Sequence, residues 1–72
     1  MVLDKLNYLV ESIIQDLIVY LAEDKKISKE EAMDIVYNSK TSKKLHDLST
    51  HLYYESSSYI YEMLKEEMDE NA

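Results

Sequence analysis

Two histidines are the residues of this chain best suited to bind a metal ion or transfer a proton. His46 and His51 are separated by a short segment that contains Asp47. Zinc takes His, Cys or carboxylate ligands at about 2 Å, often with spacing such as H-E-x-x-H on one helix. The spacing here crosses an expected helix end and supplies no third ligand. We therefore interpret the histidines as a surface or half-buried pair and predict no metal site.

Catalysis by carboxylates or serines is also weakly supported. Any two of the 15 Asp and Glu residues could be named as an acid–base pair, but such a pair needs a cleft that shifts one pKa. Ser56, Ser57 and Ser58 lie near His51 in the sequence, yet they stand where helix caps are needed and no glycine-bearing oxyanion turn accompanies them. We predict no catalytic residues, no cofactor and no cofactor-binding residues, and a protein that is not an enzyme.

The absent residue types exclude several functional classes. The chain contains no glycine, proline or cysteine. Phosphate-binding loops, dinucleotide fingerprints and nucleophile elbows all depend on backbone conformations or close approaches that glycine allows. Without cysteine, neither disulfides nor thiolate metal sites can form, which is consistent with a reducing compartment.

The charge balance bears on partners. Fifteen acidic residues outnumber eight lysines, no arginine is present, and the net charge is −7. Clustered Lys and Arg bind phosphate backbones, and anionic membrane surfaces repel an acidic chain. Lys40, Lys43 and Lys44 could form a small anion-binding patch, but we interpret them as a solvated face paired with neighbouring carboxylates. We predict no nucleic-acid partner and no membrane partner. A basic protein partner is compatible with this charge, and so is plain solubility.

The sequence also predicts a cytoplasmic location. The start, MVLDKLNY, lacks a basic region followed by an unbroken apolar run. The most apolar stretch, from Leu9 to Leu21, is interrupted by Glu11, Gln15 and Asp16 and falls short of the ~20 apolar residues of a membrane span.

The longest apolar pattern runs from Val2 to Glu23, and the rest of the chain must pack around it. Its apolar residues form two rows, and those of the first row recur in alternating steps of three and four. The first row is Leu3, Leu6, Val10, Ile13, Leu17 and Tyr20, and the second is Val2, Leu9, Ile14, Ile18 and Leu21. This spacing predicts a long first helix over about residues 2–25. Roughly half of its circumference is apolar, which is wider than the ~100° stripe that faces a single core.

The wide stripe predicts self-association. A chain of 72 residues buries only ~60% of the surface that its unfolded form exposes, so a small domain gains much from a second copy. We predict a homodimer formed through the first helix or through the tyrosine-rich half of the chain.

Local signals place three shorter helices after the first. Ser28-Lys29-Glu30-Glu31 is a capping box and predicts a helix over about 29–39. Thr41 or Ser42 can cap a third helix over about 42–49, and one of Ser56 to Ser58 can cap a last helix over about 57–69. The segment from Thr50 to Glu55 is expected to be an extended connector or loose turn that places Leu52 and one tyrosine in the core. The prediction is an all-α fold, a small bundle of four helices that forms a single helical domain over residues 1–72.

Two surface features accompany this fold. The outer face of the last helix is expected to carry Glu62, Glu66, Glu67 and Glu70. Seven tyrosines are present, and those at positions 53, 54, 59 and 61 cannot all point inward. Tyrosine is favoured in interfaces because it combines a large apolar area, few rotatable bonds and a polar tip. The composition leaves two alternatives open, an interface and scattered surface tyrosines.

A pattern of the form EA…YNSKT…L…T-x-LY…S…Y…LL…E runs through about the last two thirds of the chain. Its matching residues are Glu31, Ala32, Tyr37, Asn38, Ser39, Lys40, Thr41, Leu45, Thr50, Leu52, Tyr53, Ser57, Tyr59, Leu64 and Glu67. On these residues the chain resembles a family of small bacterial helical proteins, a domain of unknown function sometimes encoded beside ADP-ribosyltransferase-like toxins. The resemblance implies an antitoxin or accessory role and transfers no catalytic residues. Family members often carry glycine where this chain has His51, so the chain departs from the family pattern at that turn.

These observations favour a non-enzymatic protein-interaction module, a regulator or antitoxin-like accessory protein that contacts its partner through Tyr and Leu side chains inside an acidic rim. The alternative is an acidic DNA mimic that occupies a basic nucleic-acid site through the acidic run from Glu62 to Glu70.

Overall fold

A computed structural model describes residues 2–70 of the chain and the side chains of residues 4–69. Its four α-helices are α1 (Val2–Lys25), α2 (Lys29–Tyr37), α3 (Lys40–His46) and α4 (Ser57–Glu70). Two single 3-10 turns, Leu48–Thr50 and Leu52–Tyr54, join α3 to α4. The described residues contain no strand. The predicted all-α class and the long first helix are confirmed.

The core lies along one side of α1. The helix is about 36 Å long at 1.5 Å per residue, close to the longest dimension of the molecule, 37 Å. The buried residues of α1 are Val10, Ile13, Ile14, Leu17, Ile18 and Leu21. They pack with Ala32 and Val36 of α2, Leu45 of α3, and Ile60, Tyr61 and Leu64 of α4.

Only part of the apolar stripe on α1 is buried within one chain. Leu9 is 42% exposed, and Tyr20 is half-buried. The side chains of Val2 and Leu3 lie outside the described residues. The three shorter helices cover one side of α1, so the predicted burial on further sides is not provided by this chain alone.

The capping box places the start of α2 as predicted. Ser28 has extended backbone angles, and its Oγ accepts a hydrogen bond from the Glu31 backbone N–H at 3.1 Å. The helix ends at Tyr37 and not near residue 39, because Asn38 caps it. The Asn38 side-chain amide donates to the Asp34 carbonyl oxygen at 2.8 Å.

The prediction for α3 was wrong at both ends. The helix begins at Lys40, and its N-cap is Ser39, whose Oγ accepts from the Ser42 backbone N–H at 3.0 Å. The predicted caps, Thr41 and Ser42, are buried within the first turn. The helix ends at His46 and not near residue 49. The reason is Asp47, which is extended and accepts from the Ser49 backbone N–H, so that it caps the following 3-10 turn.

The segment that joins α3 to α4 is more compact than an extended connector. His51 links the two 3-10 turns in the left-handed conformation, with φ 57°. Leu52 and Tyr53 are half-buried and pack against the core, as predicted for this segment. Ser56 caps α4, because its Oγ accepts from the Tyr59 backbone N–H at 3.1 Å.

The end of α1 allows a test of backbone strain. Lys26 has φ 55°, and the Ile27 N–H donates to the Ala22 carbonyl oxygen at 3.2 Å, the pattern of a Schellman cap. A left-handed conformation costs a residue with a Cβ atom roughly 1–2 kcal/mol. We expect Lys26→Gly to raise the free energy of unfolding by about 1 kcal/mol, which corresponds to a Tm increase of roughly 4–8 °C.

Lys25→Gly is the matched control, since it removes the same charge one residue earlier. Lys25 is the last helical residue, so glycine there should lower the free energy of unfolding by about 1 kcal/mol. Thermal or urea unfolding of both variants would contradict the assignment if Lys26→Gly also proved destabilising.

Candidate functional site: an acidic cleft between α1 and α4

A cleft of about 440 Å³ lies between the C-terminal half of α1 and the first nine residues of α4. Its lining residues are spaced by three and four along each helix, so each set shares one helix face. They are Tyr20, Glu23 and Asp24 of α1, and Ser58, Tyr61, Glu62 and Lys65 of α4. We call this feature the acidic cleft, because three carboxylates in its lining face a single ammonium group.

Two tyrosine rings form the aromatic part of the acidic cleft. The ring centroids of Tyr20 and Tyr61 are 5.6 Å apart, and the rings meet edge to face. The Tyr61 hydroxyl donates to Asp24 Oδ2 at 2.8 Å. Burial raises the pKa of the Tyr61 phenol well above its ordinary value, and the hydrogen bond to Asp24 and the charge of Asp24 raise it further. Tyr61 therefore keeps its proton well into the alkaline range, and its hydroxyl is a hydrogen-bond donor that ties α4 to α1.

The acidic cleft already holds one cation of the chain itself. The Lys65 Nζ atom lies 5.2 Å from the centroid of the Tyr61 ring and 3.0 Å from Glu62 Oε1. The hydrogen bond to Glu62 raises the pKa of Lys65, although partial desolvation opposes this shift. The ammonium group is thus retained next to an aromatic face, an arrangement stabilised by cation–π attraction.

The histidines singled out from the sequence have local structural partners. His46 Nδ1 lies 2.8 Å from the Ser42 carbonyl oxygen, which can only accept, so Nδ1 carries the hydrogen in the neutral ring. His46 Nε2 faces Glu11 Oε1 at 3.4 Å. The His51 ring stacks on Tyr54 with a centroid distance of 6.3 Å.

Asp47, between the two histidines, serves as a cap. Its Oδ1 accepts from the backbone N–H and the hydroxyl of Ser49, and these hydrogen bonds lower its pKa. Among the described residues, no group of three or more His, Asp or Glu side chains is arranged to hold a metal ion.

The three consecutive serines are divided among different roles. Ser56 caps α4, Ser57 donates to Asp16 Oδ2 at 2.6 Å, and Ser58 lines the acidic cleft. None of the hydrogen bonds found between residues 4 and 69 joins these serines to His51.

The lysines beside α3 lie near carboxylates. Lys40 and Lys44 line a smaller pocket of about 180 Å³ together with Glu66 and Glu67. Lys40, Lys43 and Lys44 are all exposed, but none of them forms an ion pair among the described residues, so their pairing with carboxylates stays a prediction.

Glu67 does not belong to the outer acidic face of α4, and that prediction was wrong. Its carboxylate is half-buried and accepts from the Lys40 N–H at 2.7 Å, the Thr41 N–H at 2.9 Å and the Thr41 hydroxyl at 2.8 Å. Glu67 therefore accepts hydrogen bonds from backbone N–H groups in the first turn of α3, although it lies in a distant part of the chain. Glu62 and Glu66 are exposed as predicted, and the side chain of Glu70 lies outside the described residues.

The YNSKT segment, residues 37–41, is part of this junction. Asn38 ends α2, Ser39 caps α3, and Thr41 binds Glu67. These residues thus have a structural role, since they fix the corner at which α2, α3 and α4 meet.

The residues of the acidic cleft were not predicted as a site from the sequence. Two pairs of residues in the sequence could have indicated it. Tyr20 and Asp24 are four residues apart on α1, and so are Tyr61 and Lys65 on α4. Each spacing places an aromatic ring and a charge on one helix face.

None of the described helices is both long enough and apolar enough to cross a membrane. The chain was also compared with known proteins, and no family model, curated protein or solved structure matches it.

Proposed function

We propose that this chain is a non-enzymatic protein-interaction module. The observation that carries the proposal is the exposure of four of its seven tyrosines. Tyr8 is 72% exposed and Tyr54 is 76% exposed, and more than two fifths of Tyr37 and Tyr59 is exposed. Such side chains contribute apolar contact area at low entropic cost when a partner covers them.

The charge of the surface indicates the kind of partner. The net charge of −7 attracts a basic protein and speeds its association. The exposed side chains of Leu9, Val19 and Met33 add apolar area among the acidic residues. We propose that the module regulates the protein that it binds, and an antitoxin-like accessory role is the form of regulation that the family resemblance implies.

A tagged pull-down from the native cells, read by mass spectrometry, tests this function. We expect one partner in stoichiometric amount with the wild-type chain. Tyr8→Ser, Tyr54→Ser and Tyr59→Ser each remove one exposed ring, and at least one of them should release the partner. Glu30→Gln, on the exposed part of α2, is the control. Recovery of the bait alone, or binding that no tyrosine variant changes, contradicts the proposal.

The second candidate function is an acidic mimic of a nucleic acid. Glu62, Glu66 and Asp69 are exposed and share one face of α4, which favours this alternative. Exposed charges are screened by salt, so a complex held by them should weaken steeply as ionic strength rises. A complex that is insensitive to salt favours the interaction module with apolar anchors.

We also propose that the chain forms a homodimer through α1. The core begins at Val10, so the first two turns of the helix extend beyond it, with Leu6 half-buried and Leu9 exposed. At about 100 µM, light scattering should give the mass of two chains of 8.5 kDa each. Leu9→Ser should shift the mass towards the monomer. A monomer mass for the wild type throughout this range contradicts the dimer.

A further inference from the structure

We infer that the acidic cleft binds the guanidinium group of an arginine side chain from a protein partner, and that Lys65 is the displaceable cation that occupies this position in the free chain. The inference rests on the proposed function only for the source of the arginine. The chemistry of the acidic cleft stands on its own contacts.

The position of Lys65 shows that the acidic cleft can hold a cation. Its ammonium group lies over the Tyr61 ring and within hydrogen-bond distance of Glu62. The contact is nevertheless weakly held, because Lys65 and Glu62 are three residues apart on one helix and their side chains are 37% and 65% exposed. Exposed pairs of this kind contribute little free energy, so an incoming cation can displace the ammonium group at small cost.

The α1 side of the acidic cleft offers carboxylates that form no ion pair with Lys65. Among the described residues, Glu23 and Asp24 form no ion pair. One oxygen of Asp24 is held by the Tyr61 hydroxyl, which fixes the orientation of the carboxylate and leaves Oδ1 available. A cation that entered between α1 and α4 would therefore meet negative charge on both walls.

Arginine matches these groups better than lysine does. The guanidinium group is planar, presents five N–H donors that bind carboxylates in a fork, and stacks on aromatic rings. The acidic cleft is open to solvent, and its volume of about 440 Å³ leaves room for a guanidinium group. The chain contains no arginine, so only another molecule can supply one.

The direct test is an NMR titration of the tyrosine ring signals with N-acetyl-argininamide. We expect saturable shifts of the Tyr20 and Tyr61 signals with a Kd on the order of 1–10 mM, as befits a single side chain. N-acetyl-citrullinamide has the same shape with a neutral urea group, and it should cause no saturable shift. Absence of saturation with the arginine derivative, or equal binding of both compounds, overturns the inference.

A pair of lysine variants tests the role of Lys65. Lys65→Met removes the internal cation and should tighten binding of N-acetyl-argininamide by about threefold. Lys29→Met changes the net charge equally at an exposed position on α2, outside the acidic cleft, and should leave the Kd nearly unchanged. Equal effects of the two variants would show that Lys65 is not a competing occupant.

The NMR titration and the pull-down test different claims, so either experiment can fail while the other succeeds. Saturable binding of arginine together with recovery of the bait alone overturns the proposed function and leaves the assignment of the acidic cleft intact. A captured partner together with no arginine binding supports the interaction module and overturns the inference about the acidic cleft.

Discussion

Replacing Glu67 by alanine should lower the free energy of unfolding by about 2–3 kcal/mol, because all three hydrogen bonds to the Glu67 carboxylate are lost together. The donors are the Lys40 and Thr41 backbone N–H groups and the Thr41 hydroxyl. The first N–H groups of a helix have no partner within it, and Thr41 is buried, so water replaces the carboxylate poorly. Urea unfolding at neutral pH measures this loss.

Glu66→Ala is the control for the loss of a carboxylate from α4. Glu66 is exposed and lies next to Glu67 in the sequence. Its replacement should change the free energy of unfolding by no more than about 0.5 kcal/mol. Similar losses for the two variants would mean that Glu67 contributes only to the general charge of the helix.

The contribution of Glu67 should also depend on pH. Burial raises the pKa of Glu67, but the hydrogen bonds from Lys40 and Thr41 outweigh it, so the net pKa in the folded state is lowered. A depressed folded-state pKa adds stability above the unfolded value, ~4.3, and this stability is lost as pH falls through the folded-state pKa. The difference in stability between wild type and Glu67→Gln should therefore shrink from pH 7 to about pH 3. A constant difference would rule out ionisation as its source.

Local signals in the sequence predicted the helices and much of the core. The steps of three and four along α1 identified the side that contains Ile14, Leu17 and Leu21, because helical spacing alone fixes which residues share a face. Ser28 and Glu31 marked the start of α2, because both partners of that hydrogen bond lie within four residues.

The start of α3 could not be predicted in the same way. Ser39, Thr41 and Ser42 are all acceptable caps by type, and the carboxylate that accepts from the Thr41 N–H in the first turn belongs to Glu67, 26 residues later. The left-handed turn at His51 could not be predicted from the residue type, for a different reason. The chain has no glycine, so no residue type marked Lys26 and His51, the two positive-φ positions among the described residues.

The acidic cleft depends on how α1 and α4 are placed against each other. Each helix presents a tyrosine and a charged residue four positions apart, but the sequence does not show that these faces meet. Tyr61 and Asp24 are 37 residues apart in the chain, and the hydrogen bond between them forms only in the folded structure.

Leu17→Ala should produce a large loss of stability. Leu17 is fully buried near the middle of α1. Its truncation removes apolar contacts and leaves a cavity, at a cost of about 3 kcal/mol. A domain of this length has on the order of 4–10 kcal/mol of stability in total, so the variant should lose a large share of it and unfold at a clearly lower temperature. Thermal unfolding followed by circular dichroism measures the effect.

Leu9→Ala is the informative comparison, because Leu9 belongs to the same apolar stripe but is 42% exposed in the single chain. At about 1 µM, where a weak dimer is dissociated, its loss of stability should stay below about 1 kcal/mol. If α1 forms the homodimer interface, the loss should increase at about 100 µM, since binding stabilises the folded state by mass action. The loss for Leu17→Ala should be large at both concentrations. A loss for Leu9→Ala that is small at both concentrations would mean that α1 serves only the core of its own chain.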